Sequence, residues 1–318
     1  MGEFGLVKPF WREYKGWVSV SKQHARVRNR GAALTIRRFM PVGPVRSHRN
    51  TRDARMGMID SLGDRMKAYE EAGEGARLDV TLPIYARIDG RSFSKFTRGM
   101  SRPFDSRFSE AMIATLNGLV DKTHARLGYT QSDEISLVYE AESAESDTIF
   151  NGRQQKLVSV LASLATALFA QALDKAFEDR ASHTDKLPHF DCRVCQLPSR
   201  AEAANMFLWR WKDATKNAIS MVAQENFSAK QLHGKHGGEM IAMLAERSIA
   251  FGDFPAFFRR GTFARRVTEM RELTADELAR IPEEHRPSGP VQRHRINNFE
   301  VEDFFGMDDR EAFIFDAR

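Results

Sequence analysis

The chain has 318 residues, 42% hydrophobic and 29% charged, enough for one large globular domain or two modest ones. Its apolar runs are short and broken by charge, so no transmembrane helix is expected; two cysteines exclude a disulfide framework and suit a reducing compartment. Residues 1–57 hold 13 of the 48 Lys+Arg and only three acids (Glu3, Glu13, Asp53), a net +10 that leaves the remainder at −5, so the overall charge of +5 is no argument for nucleic acid.

Residues 1–57 lack sustained apolar periodicity, and "KQHARVRNRGAALTIRRF" is Arg-rich and acid-poor. A transit peptide, a disordered basic arm that touches RNA and an upstream start codon all account for it. We take 1–57 as a non-structural extension, with Met58 opening the domain at "MIDSLGDRMKAYEE". The expected location is cytoplasmic, or mitochondrial if the arm is a transit peptide. "TLPIYARI" (81–88) reads as a strand broken by "DGRS", and 105–127 as a helix with Phe108, Met112, Leu116, Leu119 and Val120 at helical spacing. "GYTQ" (128–131) and "ISLVYE" (135–140) form a hairpin across "SDE". A Leu/Ala/Val-rich helix over 152–180 is expected to be buried on most sides, and "HFDCRVCQLP" (189–198) is a further strand ended by Pro198.

The order β-α-β-β-α-β is the ferredoxin-like split unit. Beyond it, Ser199 with Glu202 is read as a capping box opening a helix over 199–227. Ser228 with Gln231 and Thr274 with Glu277 suggest two more helix starts. "TFARRVTEMREL" (262–273) and "PVQRHRINNF" (290–299) read as strands around a Pro/Gly loop. The fold class is α+β, with added helices and a C-terminal β-containing extension in a subregion from about 228 to 318 of the domain 58–318.

In this topology the first and third strands are antiparallel neighbours. Asp89, ending the first, then meets Asp133 and Glu134, opening the third. Converging carboxylates repel unless a cation neutralises them. Mg²⁺ would do so with carboxylates, a backbone carbonyl, waters and phosphates, and Gly90 permits close backbone approach. Two such ions could clamp the attacking and leaving oxygens of a phosphoryl or nucleotidyl transfer. Arg87, Arg91, Ser92, Ser94, Lys95, Arg102 and Ser132 lie near in sequence to receive phosphates. Against this stands plain turn chemistry for "DG" and a solvated "SDE"; on these residues alone both readings stand.

Three motifs, "ARIDGRSFSKFT", "YTQSDEISLVY" and "WRWKDATKNAISMVAQ", in order and spacing, resemble the tRNA-His guanylyltransferase superfamily of 3′–5′ RNA polymerases, from about Met58 to the C-terminus. The resemblance implies a palm like that of polymerases and nucleotide cyclases. It implies an enzyme that adds nucleotides to tRNA 5′ ends through adenylylation by ATP, attack of an NTP 3′-hydroxyl and removal of pyrophosphate. By similarity, Asp89 and Asp133 bind two Mg²⁺ with help from the Gly90 carbonyl, and Glu134 completes the acidic site. Asp89, Gly90, Arg91, Ser92, Phe93 and Ser94, with Ser132 and Asp133, hold the nucleotide, ATP or GTP and other NTPs. Arg102 stands where the family has Lys, and Asp105 helps read a base. Family members that add guanylate to tRNA-His carry "HINNLYN"; here "TKNAISM" puts Thr215 in place of the His and keeps Asn217. That departure points to the branch that repairs truncated tRNA 5′ ends. The family also implies a homotetramer, a dimer of dimers; the short apolar runs give no expectation of a membrane partner. A nucleotide cyclase or 5′–3′ palm polymerase, and a non-catalytic tRNA-binding protein, are the alternatives.

Arg210, Asp213, Lys216 and Asn217 share one helical face, a candidate surface for tRNA or the activating nucleotide. Trp209, Arg210, Trp211 and Lys212 either stack on bases and bind phosphate or divide into one core Trp and solvated charges. "FFRRGTFARR" (257–266) is a tRNA-backbone patch or an amphipathic strand. Cys192 and Cys195, three apart on a strand, face opposite sides and are ordinary strand cysteines. His233 and His236 lack a third ligand, and "RINNF" (295–299) is a chance echo of the family motif.

Overall fold

The computed structural model describes residues 61–73, 75–141, 149–177 and 187–316; the basic extension 1–57 lies outside them. Helix α1 is Ser61–Gly73. Strand β1 (Ile84–Gly90) starts after Pro83 and runs two residues past the sequence boundary, so Asp89 lies inside it. A single helical turn α2 (Phe93–Phe96) leads to α3 (Ser106–Thr123). Strands β2 (Leu127–Gln131) and β3 (Glu134–Tyr139), helix α4 (Gln154–Ala176) and strand β4 (Phe190–Gln196) complete the split unit. Helix α5 (Arg200–Asn226) is followed by α6 (Ala229–Leu232), α7 (Gly237–Glu246) and α8 (Ala256–Arg260). The chain closes with β5 (Thr262–Arg271), α9 (Ala275–Ala279), β6 (Val291–Phe299) and α10 (Arg310–Phe315).

The strands form one sheet in the order β4-β1-β3-β2-β5-β6, every neighbouring pair antiparallel. The C-terminal strands therefore widen the palm sheet itself, and the "RINNF" segment lies on its β6 edge. Strand alternation sorts side chains to two faces. Ile84, Ala86 and Ile88 of β1 join Ile135 and Leu137 in a core against α3 and α4. Tyr85 and Val138 join Phe207 and Trp211 of α5, Phe263 of β5 and Ile314 of α10 in a second core. All six residues of β3 are buried because both faces are covered, whereas edge strand β4 alternates buried and exposed. That alternation buries Cys192 and exposes Cys195.

Among the described helices, α4 alone has the length and composition of a membrane span, contrary to the sequence expectation. Its Leu157, Leu161, Ala165, Phe169 and Leu173 form one stripe buried in the core with α3 and the sheet; the rest of the helix is partly or fully exposed, which corrects the expectation of burial on most sides. Caps were partly legible. Thr274 and Glu277 form the full box at α9. At α5, Ser199 accepts from the Glu202 N–H (3.2 Å), but the Glu202 carboxylate accepts from Asn205 instead of reaching back, correcting the expected box.

Candidate active site

Strand register builds the charged part of the site. Asp89 of β1 lies opposite Glu134 of β3 on one side and Asp191 of β4 on the other. Two residues back, Arg87 lies opposite Ser136 and Arg193. Directly paired residues share a face, so a row of carboxylates runs beside guanidiniums on the α5 side of the sheet. The Asp89 carboxylate accepts from Arg87 Nε (3.1 Å) and Arg193 Nη1 (3.0 Å). Glu134 is buried and accepts a bidentate pair from Arg210 Nε (2.6 Å) and Nη2 (2.7 Å), and the same Nη2 donates to Asp213 (3.0 Å).

This geometry corrects the expectation for Arg210 and narrows the one for Glu134. Arg210 is 7% exposed and spends its guanidinium on two carboxylates, so it is not a surface contact for tRNA. Glu134 has both oxygens committed to Arg210, so it braces the site and is not a free ligand. Burial holds its carboxyl above the usual range despite Arg210's bonds.

Asp133 sits in the β2–β3 turn, not on the strand. The turn uses Ser132 at φ +48°, and the Asp133 carbonyl accepts from the Gly90 N–H (2.9 Å), which ties the turn to the end of β1. Burial raises the Asp133 carboxyl, and the charge of Asp89 adds to the rise. An all-oxygen site of this kind, a buried carboxyl beside a second carboxylate, suits a hard divalent cation. No preformed group of three or more acidic, His or Cys ligands occurs among the described residues. Mg²⁺ needs no such cage, since it takes one or two carboxylates and completes its shell with water and substrate phosphates.

Beside Asp133 lies a cavity of about 300 Å³ between the α2–α3 segment and α5. Phe93, Ser94, Arg102, Asp105, Ser132 and Asp133 of the expected nucleotide residues line it, with Asn217 from α5. Asp89, Gly90, Arg91 and Ser92 do not line it; they form the end of β1 and the turn into α2. Its apolar wall includes Phe104 stacked on Phe258 of α8 (4.7 Å between centroids).

Gly90 is fixed by packing. A Cβ there would stand 2.6 Å from the Phe93 ring, which is itself wedged against Phe96 and Phe190 at 4.9 Å each. Gly90→Ala should therefore lose about 1–3 kcal/mol by overpacking, read by urea unfolding, and should misplace α2 against the cavity. A loss under about 0.5 kcal/mol would show that α2 yields freely.

Asp105 is also corrected. It is 6% exposed and caps α3, accepting from the Ser101 and Arg107 N–H groups and from the Arg107 guanidinium. These bonds, Arg107's first, hold its carboxyl down to about 2, so it shapes the cavity wall and has no oxygen left to read a base. The folded value lies below the unfolded one, so its stabilisation is full above the unfolded value of 3.8 and fades as pH falls through about 2. Asp105→Ala should cost about 2 kcal/mol at pH 6, discounted for the half-exposed Arg107. The gap to the parent should narrow in urea titrations at pH 3.

On α5 the two tryptophans part. Trp211 is core, its Nε1–H donating to the Val301 carbonyl (3.1 Å), whereas Trp209 is 51% exposed. Lys216 is exposed and Asn217 reaches the cavity. Thr215 accepts from Arg260 Nη1 (2.7 Å), so α8 is tied to α5 there. Of the "FFRRGTFARR" arginines, Arg259 pairs with Glu302, Arg266 with Asp121, and Arg265 is buried, so the patch is mostly structural. His236 caps α7 at the surface. Sequence reasoning missed Asp191 and Arg193. The alternation Asp191, Arg193, Cys195 on β4 was the available signal, once β4 is laid beside β1.

The family model for tRNAHis guanylyltransferase matches residues 63–198, from α1 through β4. A bacterial tRNA(His) guanylyltransferase (Thg1)-like protein solved in complex with ATP is 39% identical, covers 64% of this chain and 88% of its own, and superposes with a TM-score of 0.60. The chain belongs to the tRNA(His) guanylyltransferase superfamily. It is thus a nucleotidyltransferase with the family's α+β palm. A bacterial Thg1-like protein in complex with GTP is 33% identical, covers 75% of this chain and 91% of its own, and has a TM-score of 0.58. The tRNA(His) guanylyltransferase of Saccharomyces cerevisiae is 28% identical over 225 residues, 64% of this chain and 92% of that protein.

Proposed function

We propose that this chain is a Mg²⁺-dependent nucleotidyltransferase that adds nucleotides to the 5′ end of tRNA, in the 3′–5′ direction, and that it repairs truncated ends. The observation that carries this reading is the tie between the end of β1, which bears Asp89, and the β2–β3 turn, whose Asp133 lines a nucleotide-sized cavity. Its relatives bound to ATP and to GTP support both nucleotides as substrates. Asp89 and Asp133 would hold Mg²⁺, which when bound neutralises phosphate charge and activates the attacking hydroxyl. The cavity would seat the triphosphate nucleotide, with Arg102, Ser94 and Ser132 facing phosphates and Phe104 and Phe108 beside the base.

The reaction runs in three stages. The RNA 5′-monophosphate attacks the α-phosphorus of ATP and releases pyrophosphate; the 3′-hydroxyl of the seated NTP attacks the RNA's 5′ phosphorus and releases AMP; hydrolysis then removes pyrophosphate from the new 5′ end. Both arginines donate to the same Asp89 oxygen, Oδ2, so Oδ1 would serve the ion, and the two guanidiniums stand beside it to receive phosphate oxygens.

Repair is favoured over strict tRNA-His guanylylation because Thr215 is engaged with Arg260 where the resemblance expects a His. Each NTP, supplied singly with a 5′-truncated tRNA and with full-length tRNA-His, tests this. Template-matched addition to the truncated RNA is expected. Addition of guanylate alone, and only to tRNA-His, would overturn the repair assignment.

A further inference from the structure

Transfer needs two reactants on opposite sides of Asp89 and Asp133, and the cavity accounts for one. The other side is lined by α5 as it passes over β1. There Trp209 lies with the Arg210 guanidinium 4.6 Å and the Arg87 guanidinium 5.7 Å from its ring centroid. These arginines hold Glu134 and Asp89, so the indole is one side chain removed from the carboxylates. Along the helix, Trp209 stands eight residues, about 12 Å, from Asn217 at the cavity.

A shield over the two arginines would be the structural role for this ring. The exposure argues otherwise: half of the indole remains in water, and both arginines already have carboxylate partners. The surroundings are cationic. Lys212, one turn on, places its Nζ 3.9 Å from the ring centroid of Phe305, itself 59% exposed. Lys216 follows on the same helix face, and Arg193 is largely exposed across β1. Asp191 and Asp213 are the acids of this surface, each within reach of an arginine. Two exposed aromatic faces flanked by unburied cations fit unpaired nucleotides, whose bases stack while their phosphates find the charges.

We infer that Trp209 is the stacking platform for the terminal base of the RNA 5′ end, with Arg193 and Lys212 receiving its phosphates. This deepens the proposed function and rests on it. RNA ends are recognised in this way when their bases are free of pairing, and a stacked terminal base would hold the 5′-phosphate over the Asp89 row.

The test is fluorescence anisotropy of a labelled acceptor-stem hairpin, 5′-monophosphorylated with its last nucleotide unpaired. It uses the full chain in EDTA without NTP; Mg²⁺-GTP binding is measured separately. Trp209→Ala should weaken hairpin binding about tenfold or more and leave GTP affinity unchanged, and Trp209→Phe should stay within about threefold of the parent. If Trp209→Ala does not fold, Trp209→Leu covers the arginines without an aromatic face and carries the same expectation. Hairpin binding unchanged in the Ala or Leu variant overturns the inference alone. Equal losses of RNA and GTP affinity also overturn it, because they mark a shield. A parent protein that binds no hairpin overturns both the inference and the reading beneath it.

Discussion

Asp133→Asn should remove nucleotide addition by about 10³-fold or more, the loss expected when several kcal/mol of metal-based stabilisation disappears. The same change should leave the protein at least as stable at pH 7. Burial and the Asp89 charge raise the Asp133 carboxyl, so the folded state prefers it protonated. Its contribution to stability is therefore greatest at low pH and is lost as pH rises through the folded value. At neutral pH the ionised group is a cost that the amide removes. Calorimetry should show an equal or higher Tm for Asp133→Asn, and Mg²⁺ should raise the Tm of the parent but not of the variant. Residual activity near the parent's would remove Asp133 from the metal site, whatever the Tm.

Glu134 should behave in the opposite way. Its carboxylate and the Arg210 guanidinium are buried together at 2.6–2.7 Å. Removing one partner leaves the other charged and unpaired, so Glu134→Gln or Arg210→Met should each cost about 3–5 kcal/mol in urea unfolding. Replacing both with apolar residues should recover most of that loss, because the desolvation cost disappears with the pair. Activity of the single variants should fall with the folded fraction and with misplacement of Asp89's strand neighbour. A fully stable Glu134→Gln that is inactive would instead show that Glu134 acts in the reaction itself. The contrast matters for reading mutants: neighbouring carboxylates in "SDE" lose activity for different reasons.

The alternation of β and α segments and their hydrophobic periods were enough to place the six strands and the long helices within a few residues. Register was the harder step. The β-α-β-β-α-β order brings β1 beside β3, and so Asp89 near Asp133 and Glu134, without any side-chain knowledge. It does not say which carboxylate points where. Asp133 belongs to the turn because Ser132 adopts a left-handed conformation, a choice that a run of Ser, Asp and Glu leaves open. Arg210 looked like a surface cation because helix spacing groups it with Lys216 and Asn217. Only the packing of α5 on the sheet shows that position 210 faces inward to Glu134. Asp105 likewise carries a cap signal and a binding signal in the same residue, and the Arg107 guanidinium decides between them. The role of β4 was hidden for a different reason: an edge strand contributes its charges through a register that only the assembled sheet defines.

Asp89 and Asp133 together should direct nucleotidyl transfer to an RNA 5′ end. The most direct measurement supplies one labelled NTP, ATP and Mg²⁺ to a 5′-monophosphorylated truncated tRNA, then maps the label by nuclease digestion. Label is expected in the 5′-terminal fragment with the parent protein and nowhere with Asp89→Ala or Asp133→Asn. Label at the 3′ end, or released as a cyclic nucleotide, would contradict it.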